Sequence, residues 1–202
     1  AVNLLALAET DASPIVQAYC ATLHLFAESR EAAANARPFL VRARAGAARA
    51  TPRERRYIAA IEAWADGDIA RAIALHTEQA REHPRDLVSV KLGQYHCFNT
   101  GDCPGMLRLA LAALPSAAEV PYVHGMAAFG YEQCHLMRDA EASARRAIAM
   151  CRKEPWAHHA LAHVMLTEGR LAEGLAFMES VSDTWTGLNS FMVTHNWWHV
   201  AL

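Results

Sequence analysis

The sequence predicts an all-α fold built from repeated helix-turn-helix units. Alanine, leucine, arginine and glutamate dominate the chain, and these residues favour helices. The alternating β-branched runs that indicate strands are missing. Short turns recur at residues 67, 101, 138 and 169, so 34, 37 and 31 residues separate successive turns. Periods near 34 residues are typical of helix-turn-helix arrays; a general helical bundle with coincidental spacing is the alternative.

The repeats do not occupy the whole chain in this prediction. Residues 1–50 are expected to form N-terminal helices, and residues 51–187 the repeated helix pairs. Residues 188–202 are expected to form the first helix of an incomplete repeat, because a helical pattern there runs to the last residue without a cap. Together these segments predict a single helical repeat domain over residues 1–202.

Helix-start residues locate the first elements. Ser13 precedes Pro14, and proline is favoured at the first position of a helix. Thr51 is placed to cap the next predicted helix, with Pro52 at its first position and Glu54 closing a capping box. The remaining helices are expected to be separated by breaks at residues 65–68, 82–86, 99–105, 114–121, 136–139, 152–155 and 167–170.

The composition excludes several classes of protein. The chain is 53% hydrophobic and 20% charged with a net charge of -2, which is typical of a globular domain and not of a disordered one. No basic field is present to attract nucleic acid. No apolar run reaches the roughly 18 residues of a membrane helix. We therefore expect neither nucleic acid nor a membrane as a partner.

The cysteines indicate the compartment. Five cysteines are scattered along the chain without a CxxC pair, which argues against both a disulfide framework and a cysteine zinc site. The first ten residues also lack the basic start of a secretion signal. A cytoplasmic location is the expectation.

Three blocks near the carboxyl end carry a resemblance to a known family. They are YVHGMAAFGYEQC, EPWAHHALAHVMLTEGRLAEG and THNWWHVAL, and they lie within residues 121–202. In combination they resemble the tetratricopeptide repeat protein 38 family, whereas residues 51–120 fit more loosely. The resemblance implies a tetratricopeptide-like helix-turn-helix α-solenoid and leaves the function open.

The resemblance also implies which residues face a ligand. In tetratricopeptide repeats the first helix of each pair lines a concave groove, chiefly through its second, fifth, ninth and twelfth positions. Repeats are expected to start near Arg53, Leu87, His124 and Pro155, with a half repeat near Phe191. The groove residues expected from this register and from an aromatic wall are Tyr95, Glu132, His135, Trp156, His159, His163, His195 and His199.

The histidine spacing points to a metal independently of the resemblance. Residues at i and i+4 lie about 6 Å apart on one helix face, so His159 with His163, and His195 with His199, can each hold one ion. If the two helices are neighbours, all four imidazoles converge, with Glu132 as a fifth ligand or a general base. Zinc, iron, manganese and nickel all accept such ligands.

Two other interpretations of these histidines stay open. Neither pair contains the glutamate of HExxH, and histidines on a groove wall can contact an organic ligand or simply hydrogen-bond within the protein. The preferred hypothesis is a groove that binds a peptide or a small organic ligand. A metal-dependent enzyme is the alternative, and the sequence does not decide whether the chain is an enzyme. A homo-oligomer formed through the incomplete last repeat is a further expectation.

The two tryptophans inside HNWWH are expected to point in different directions. Adjacent residues on a helix diverge by about 100°. Because burial of an indole ring is strongly favourable, we expect one of Trp197 and Trp198 to pack in the core and the other to face either the groove or the next helix of the incomplete repeat.

Overall fold

The computed structural model describes residues 2–202, apart from the side chains of Val2 and Ser190. This part of the chain is all-α, with twelve α-helices, three short 3-10 turns and no strand. The fold class expected from the sequence is confirmed. The helices are α1 (Val2–Leu7), α2 (Pro14–Leu25), α3 (Ala32–Ala45), α4 (Pro52–Ala65), α5 (Ile69–Glu82), α6 (Leu87–Asn99), α7 (Cys103–Ala113), α8 (Pro121–Gln133), α9 (Met137–Met150), α10 (Pro155–Thr167), α11 (Leu171–Val181) and α12 (Ser190–Ala201).

The chain packs as two compact units, residues 1–96 and residues 97–202. The division falls inside α6, close to its carboxyl end. The assignment of residues 1–202 to a single domain stays a prediction.

The first helices of the pairs recur at a regular interval. They begin at Pro52, Leu87, Pro121, Pro155 and Ser190, so 34 or 35 residues separate successive starts. The expected period is therefore present, and it is more regular in the helix starts than in the turns. The first helix of the third pair, α8, begins at Pro121, three residues before the predicted start at His124, because a proline at its first position sets the boundary.

The predicted start signal at the first pair is confirmed. The Thr51 hydroxyl accepts a hydrogen bond from the backbone N–H of Glu54, and the Glu54 carboxylate accepts one from the backbone N–H of Thr51. This reciprocal pair satisfies two donors that an uncapped helix would leave open. At the earlier start, α2 begins at Pro14 as expected, but the Ser13 side chain makes no capping hydrogen bond.

The core of the first unit lies between α2, α3 and α4. Alanines at the contacts let these helices approach closely, while larger residues such as Ile61 and Leu40 fill the space between them. The Tyr57 ring is 1% exposed, and its hydroxyl shares a hydrogen bond of 3.0 Å with Thr22. Burial raises the pKa of this hydroxyl above its ordinary value, so Tyr57 stays neutral in the core.

In the second unit, α10 is the central helix, in contact with α8, α9, α11 and α12. Small residues let the helices of this unit approach closely. A Cβ atom on Gly130 of α8 would lie 2.9 Å from the Cα atom of Leu107 in α7, and one on Gly125 would lie 2.6 Å from Glu154 Oε2, next to the start of α10. Both glycines therefore lie where a side chain would meet its neighbours too closely. Met178 and Trp185 fill the space on the other side of α10.

Two further observations concern membrane-spanning helices and the cysteines. Within residues 2–202, none of the helices is both long and apolar enough to cross a membrane. All five cysteines lie in the described part of the chain and are free thiols.

The glycine contacts predict opposite effects for two substitutions in helices. We expect Gly130→Ala to lower the free energy of unfolding by about 1–3 kcal/mol, because the added methyl group meets backbone atoms that cannot move aside easily. For Gly174→Ala in α11 we expect no loss, and a gain of up to about 1 kcal/mol, because the new Cβ meets the Met165 side chain at 3.4 Å and alanine favours the helix. Urea denaturation of both variants measures the difference. Equal effects would contradict the close approach at Gly130.

Candidate metal centre

Two histidines of the centre lie on α10. The helix starts at Pro155, where the buried Glu154 carboxylate accepts a hydrogen bond of 2.5 Å from the backbone N–H of Ala157. From this fixed start, His159 and His163 follow one turn apart on one face of the helix. His159 is 4% exposed, whereas His163 is partly open to solvent.

The other two histidines lie on α12. The Asn189 side chain caps this helix by accepting a hydrogen bond of 2.8 Å from the backbone N–H of Met192. Met192 and Asn196 are buried, so the helix packs through their side. His195 and His199 flank that side and are half-buried.

The two pairs meet in one cluster. The Nε2 atoms of His159 and His195 lie 2.9 Å apart, those of His195 and His199 lie 3.3 Å apart, and those of His163 and His199 lie 3.1 Å apart. One ring nitrogen from each histidine lies within 4.8 Å of the corresponding nitrogens of the other three. The structure therefore brings together the four histidines that the sequence singled out.

These distances suit a single ion. With metal–nitrogen bonds of about 2.1 Å, neighbouring ligand nitrogens lie about 3.0–3.4 Å apart and opposite ones about 4.2 Å apart. The three short contacts fall in or next to the first interval, and the 4.8 Å limit slightly exceeds the second. The spread of the four nitrogens is therefore close to that of four ligand atoms around one ion.

The environment keeps the imidazoles of α12 neutral. Burial, and then the neighbouring His163 and His195, lowers the pKa of His199 to about 4. Burial, and then His163, also lowers the pKa of His195 below its ordinary value. At neutral pH both rings are therefore uncharged, and each keeps one nitrogen lone pair that can bind a cation.

Glu132 of α8 contacts the centre from the outside. Its Oε1 atom lies 3.2 Å from Nδ1 of His163, the ring nitrogen that faces away from the cluster. Its Oε2 atom accepts a hydrogen bond of 2.7 Å from the side chain of Gln133. A carboxylate that accepts the Nδ1 proton of a histidine leaves the Nε2 lone pair free for a metal. In this arrangement Glu132 orients the His163 ring and lies outside the group of four converging ring nitrogens.

The same contact sets the protons of the cluster. Two neutral imidazoles share a hydrogen bond only if one nitrogen carries the proton and the other accepts it. With Nε2 of His163 as an acceptor, Nε2 of His199 is a donor, that of His195 an acceptor and that of His159 a donor. In this pattern two Nε2–H groups serve three contacts, so the imidazoles alone do not satisfy every contact of the cluster. Binding of an ion through the Nε2 atoms requires His159 and His199 to carry their protons on Nδ1.

Comparisons with known proteins define the scaffold. No protein-family model matches the chain. Among solved structures, TTC0263, a thermophilic TPR protein of Thermus thermophilus, matches with a TM-score of 0.67 and 17% identity over 92% of this chain and 100% of that chain. MamA (residues 41 to the end) of Desulfovibrio magneticus RS-1 matches with a TM-score of 0.59 and 12% identity over 86% of this chain and 98% of that chain. The chain has a tetratricopeptide-repeat fold. At such identities the likeness shows the fold alone.

Two predicted groove residues lie outside the histidine cluster of this tetratricopeptide-repeat fold. His135 is exposed in the turn after α8, with a φ of 56°, because the third repeat starts earlier than predicted and the helix ends at Gln133. The prediction that His135 faces the groove from a first helix is therefore wrong. Tyr95 lies in the first unit, where its hydroxyl donates to Glu28 and its ring packs against Phe26 and Trp64.

Both tryptophans of HNWWH are exposed. Trp197 is 49% exposed, with its ring packed edge-on at 5.1 Å against Trp185, and Trp198 is 60% exposed. The expectation that one of them packs in the core is wrong. The buried residues Met192 and Asn196 define the packed side of this first helix, and the two indole rings lie outside that side.

Trp156 lies beside the cluster, together with two rings that are not among the predicted groove residues, Phe129 and Phe191. Its ring centroid is 6.1 Å from that of His159, 6.2 Å from Phe129 and 6.5 Å from Phe191. The Phe191 ring stacks on His195 at 5.1 Å with an interplanar angle of 13°. The i, i+4 spacing of Phe191 and His195 was the signal that could have identified this contact.

A fifth histidine next to the cluster has a structural role. His158 is fully buried, its Nε2 donates a hydrogen bond of 2.8 Å to the Arg152 carbonyl, and its Nδ1 accepts one of 3.1 Å from the Trp185 indole. Burial lowers its pKa to about 4. Both ring nitrogens of His158 are thus hydrogen-bonded within the protein.

The contact between Glu132 and His163 predicts a change of tautomer. We expect Glu132→Ala to shift His163 from the Nδ1-protonated form towards the Nε2-protonated form, because the acceptor that holds the Nδ1 proton is lost. Nitrogen-15 chemical shifts of the imidazole rings report the tautomer directly. Glu173→Ala, which removes an exposed carboxylate on α11, is the matched control and should leave His163 unchanged. An unchanged His163 spectrum in Glu132→Ala would contradict this contact.

Proposed function

We propose that this tetratricopeptide-repeat protein binds one divalent transition-metal ion between α10 and α12. The ligands in this proposal are the Nε2 atoms of His159, His163, His195 and His199. The observation that carries the proposal is the convergence of four imidazole nitrogens within 4.8 Å of one another. Four such groups rarely meet by chance in a core dominated by alanine and leucine, and uncharged imidazole is the commonest metal ligand in proteins.

The ligand set restricts the choice of ion. Four imidazole nitrogens without thiolate suit zinc, iron, nickel and copper better than the harder calcium, magnesium and manganese ions, which prefer oxygen. The outer-sphere contact of Glu132 resembles the carboxylate–histidine–metal arrangement that orients a ligand ring and raises its basicity. Zinc or iron(II) is the ion that we propose on this basis.

The centre is open on one side. His163, His195 and His199 are all partly exposed, so solvent or a ligand can reach an ion held between them. A four-histidine set also leaves one or two positions of a five- or six-coordinate ion to an outside group. We propose that these positions bind a ligand from the groove, and we assign no reaction to the site.

We further propose that the chain belongs to the tetratricopeptide repeat protein 38 family. The three sequence blocks that resemble that family contain Glu132 and all four histidines of the centre. The resemblance and the metal proposal therefore concern the same residues, although each rests on its own observation.

The proposed metal site predicts the metal content of the protein. Protein purified without an affinity tag is expected to bind one equivalent of zinc. We expect His163→Ala and His199→Ala each to lower the affinity for zinc, because each substitution removes a direct ligand. Loss of an outer-sphere partner typically lowers the affinity for a metal by about 10- to 100-fold, and the effect of these two variants should be larger. Elemental analysis and competition with a chromophoric chelator measure stoichiometry and affinity.

His135→Asn is the matched control for these variants. The position is exposed and lies outside the cluster, and asparagine tolerates its positive φ. It should bind zinc like the wild type. A folded wild-type protein that takes up no zinc, iron, nickel or copper would refute the metal proposal. In that case the four histidines would serve only the packing of α10 against α12.

The site also predicts that metal holds α12 in place. This helix contacts α10 and α11, and two of the four proposed ligands lie on it. Zinc at 100 times its dissociation constant is expected to slow amide exchange in α12 by up to about 100-fold, since release of the helix would require loss of the ion. Hydrogen exchange followed by mass spectrometry measures this, with α4 as the internal reference. Equal protection of α4 and α12 would indicate a global effect and not a clamp at this helix.

A further inference from the structure

Aromatic rings flank two of the four proposed metal ligands. On α10, the buried His159 ring lies edge-on to Phe129 at 5.5 Å and to Trp156 at 6.1 Å. On α12, Phe191 stacks on His195 at 5.1 Å. Rings from α8, α10 and α12 thus form a continuous apolar wall on one side of the centre, which we call the aromatic row (Phe129, Trp156 and Phe191).

The aromatic row is open towards solvent. Phe191 is 58% exposed, Trp156 is half-buried, and Phe129 is 7% exposed behind them. The centroids of Trp156 and Phe191 lie 6.5 Å apart with an interplanar angle of 34°. Offset and edge-on aromatic pairs have centroid separations of about 4.5–7 Å. A third ring that approaches from solvent could therefore contact both Trp156 and Phe191.

The two sides of the centre differ in polarity. The Glu132 carboxylate contacts His163, whereas the aromatic row contacts His159 and His195. An imidazole binds a metal as a neutral donor, so a divalent ion held by these four rings would be offset only by the single outer-sphere carboxylate. A net positive centre favours an anionic donor at its open position. A ligand that satisfies both features has an acidic oxygen donor joined to a flat apolar group.

We propose that the centre binds a small aromatic compound with an oxygen-acid group, such as a carboxylate or hydroxamate. The oxygen donor occupies the open position on the metal, and the ring packs against Trp156 and Phe191. This inference rests on the proposed metal site and names the class of ligand that the site accepts. The donor replaces bound water without oxidation or reduction, so no co-reactant is required.

Two hydroxamates that differ only in the ring test the inference. The full chain is loaded with cobalt(II), whose visible absorption changes when a ligand enters its coordination sphere, and is titrated with benzohydroxamate and with acetohydroxamate. Both bind the ion through the same oxygen atoms. We expect benzohydroxamate to bind at least about tenfold more tightly, equivalent to about 1.4 kcal/mol, because only its phenyl ring can contact the aromatic row.

Substitutions in the aromatic row localise the preference. In Phe191→Leu and Trp156→Leu the preference for benzohydroxamate should fall to about threefold or less, while the affinity for acetohydroxamate and for cobalt stays within about twofold of the wild type. Trp198→Leu is the matched control, since it removes an exposed ring from α12, the helix that carries Phe191, but lies outside the aromatic row. It should retain the wild-type preference.

The outcomes separate this inference from the metal proposal. Equal affinities for the two hydroxamates in the cobalt-loaded wild type would overturn the ligand class and leave the metal site intact. A preference that persists in both Phe191→Leu and Trp156→Leu would also overturn it, because the ring would then bind elsewhere. Failure of the wild type to bind cobalt, zinc or iron would overturn both proposals together.

Discussion

The contact between α10 and α12 is the constraint on which the candidate site depends. Each helix carries two histidines one turn apart, and neither pair alone can surround an ion. Because α12 packs through Met192 and Asn196, its histidines face those of α10, and the nearest Nε2 atoms lie 2.9–3.3 Å apart. A shift of either helix by one turn would separate the pairs, so the packing of α12 against α10 determines the chemistry of the cluster.

The four imidazoles lie close together in a mostly apolar bundle, where polar groups need hydrogen-bond partners. Without an ion, the four imidazoles can hydrogen-bond to one another in an alternating series of donors and acceptors that starts at the Glu132–His163 contact, with two N–H groups for three contacts. The lowered pKa of His199 and of His195 keeps these two rings uncharged at neutral pH. The same neutrality is what a cation requires of its ligands. One arrangement is therefore compatible with a stable metal-free fold and with binding of an ion.

Two local predictions are wrong, one because the register of the third repeat differs by three residues and one because both indole rings of HNWWH are exposed. The third repeat was expected to start near His124, and the true start at Pro121 moves His135 beyond the end of the helix. One of Trp197 and Trp198 was expected in the core because indole burial is favourable, yet both are exposed. Which face of α12 is packed depends on α10 and α11, and no pattern inside an isolated helix reveals its neighbours.

The all-α class, the repeat period, the capped start at Thr51 and the two i, i+4 histidine pairs can all be predicted from the amino-acid sequence. Apart from the period, which is a regular recurrence along the chain, these features depend on residues a few positions apart, whose relation a helix sets through its fixed geometry. The three-dimensional packing is needed to see that the pairs meet, that Glu132 contacts His163 on its outer nitrogen, and that Phe129 and Phe191 join Trp156 beside the cluster. Those relations join residues from separate helices far apart in the chain, and the packing of α8, α10 and α12 alone sets their distances.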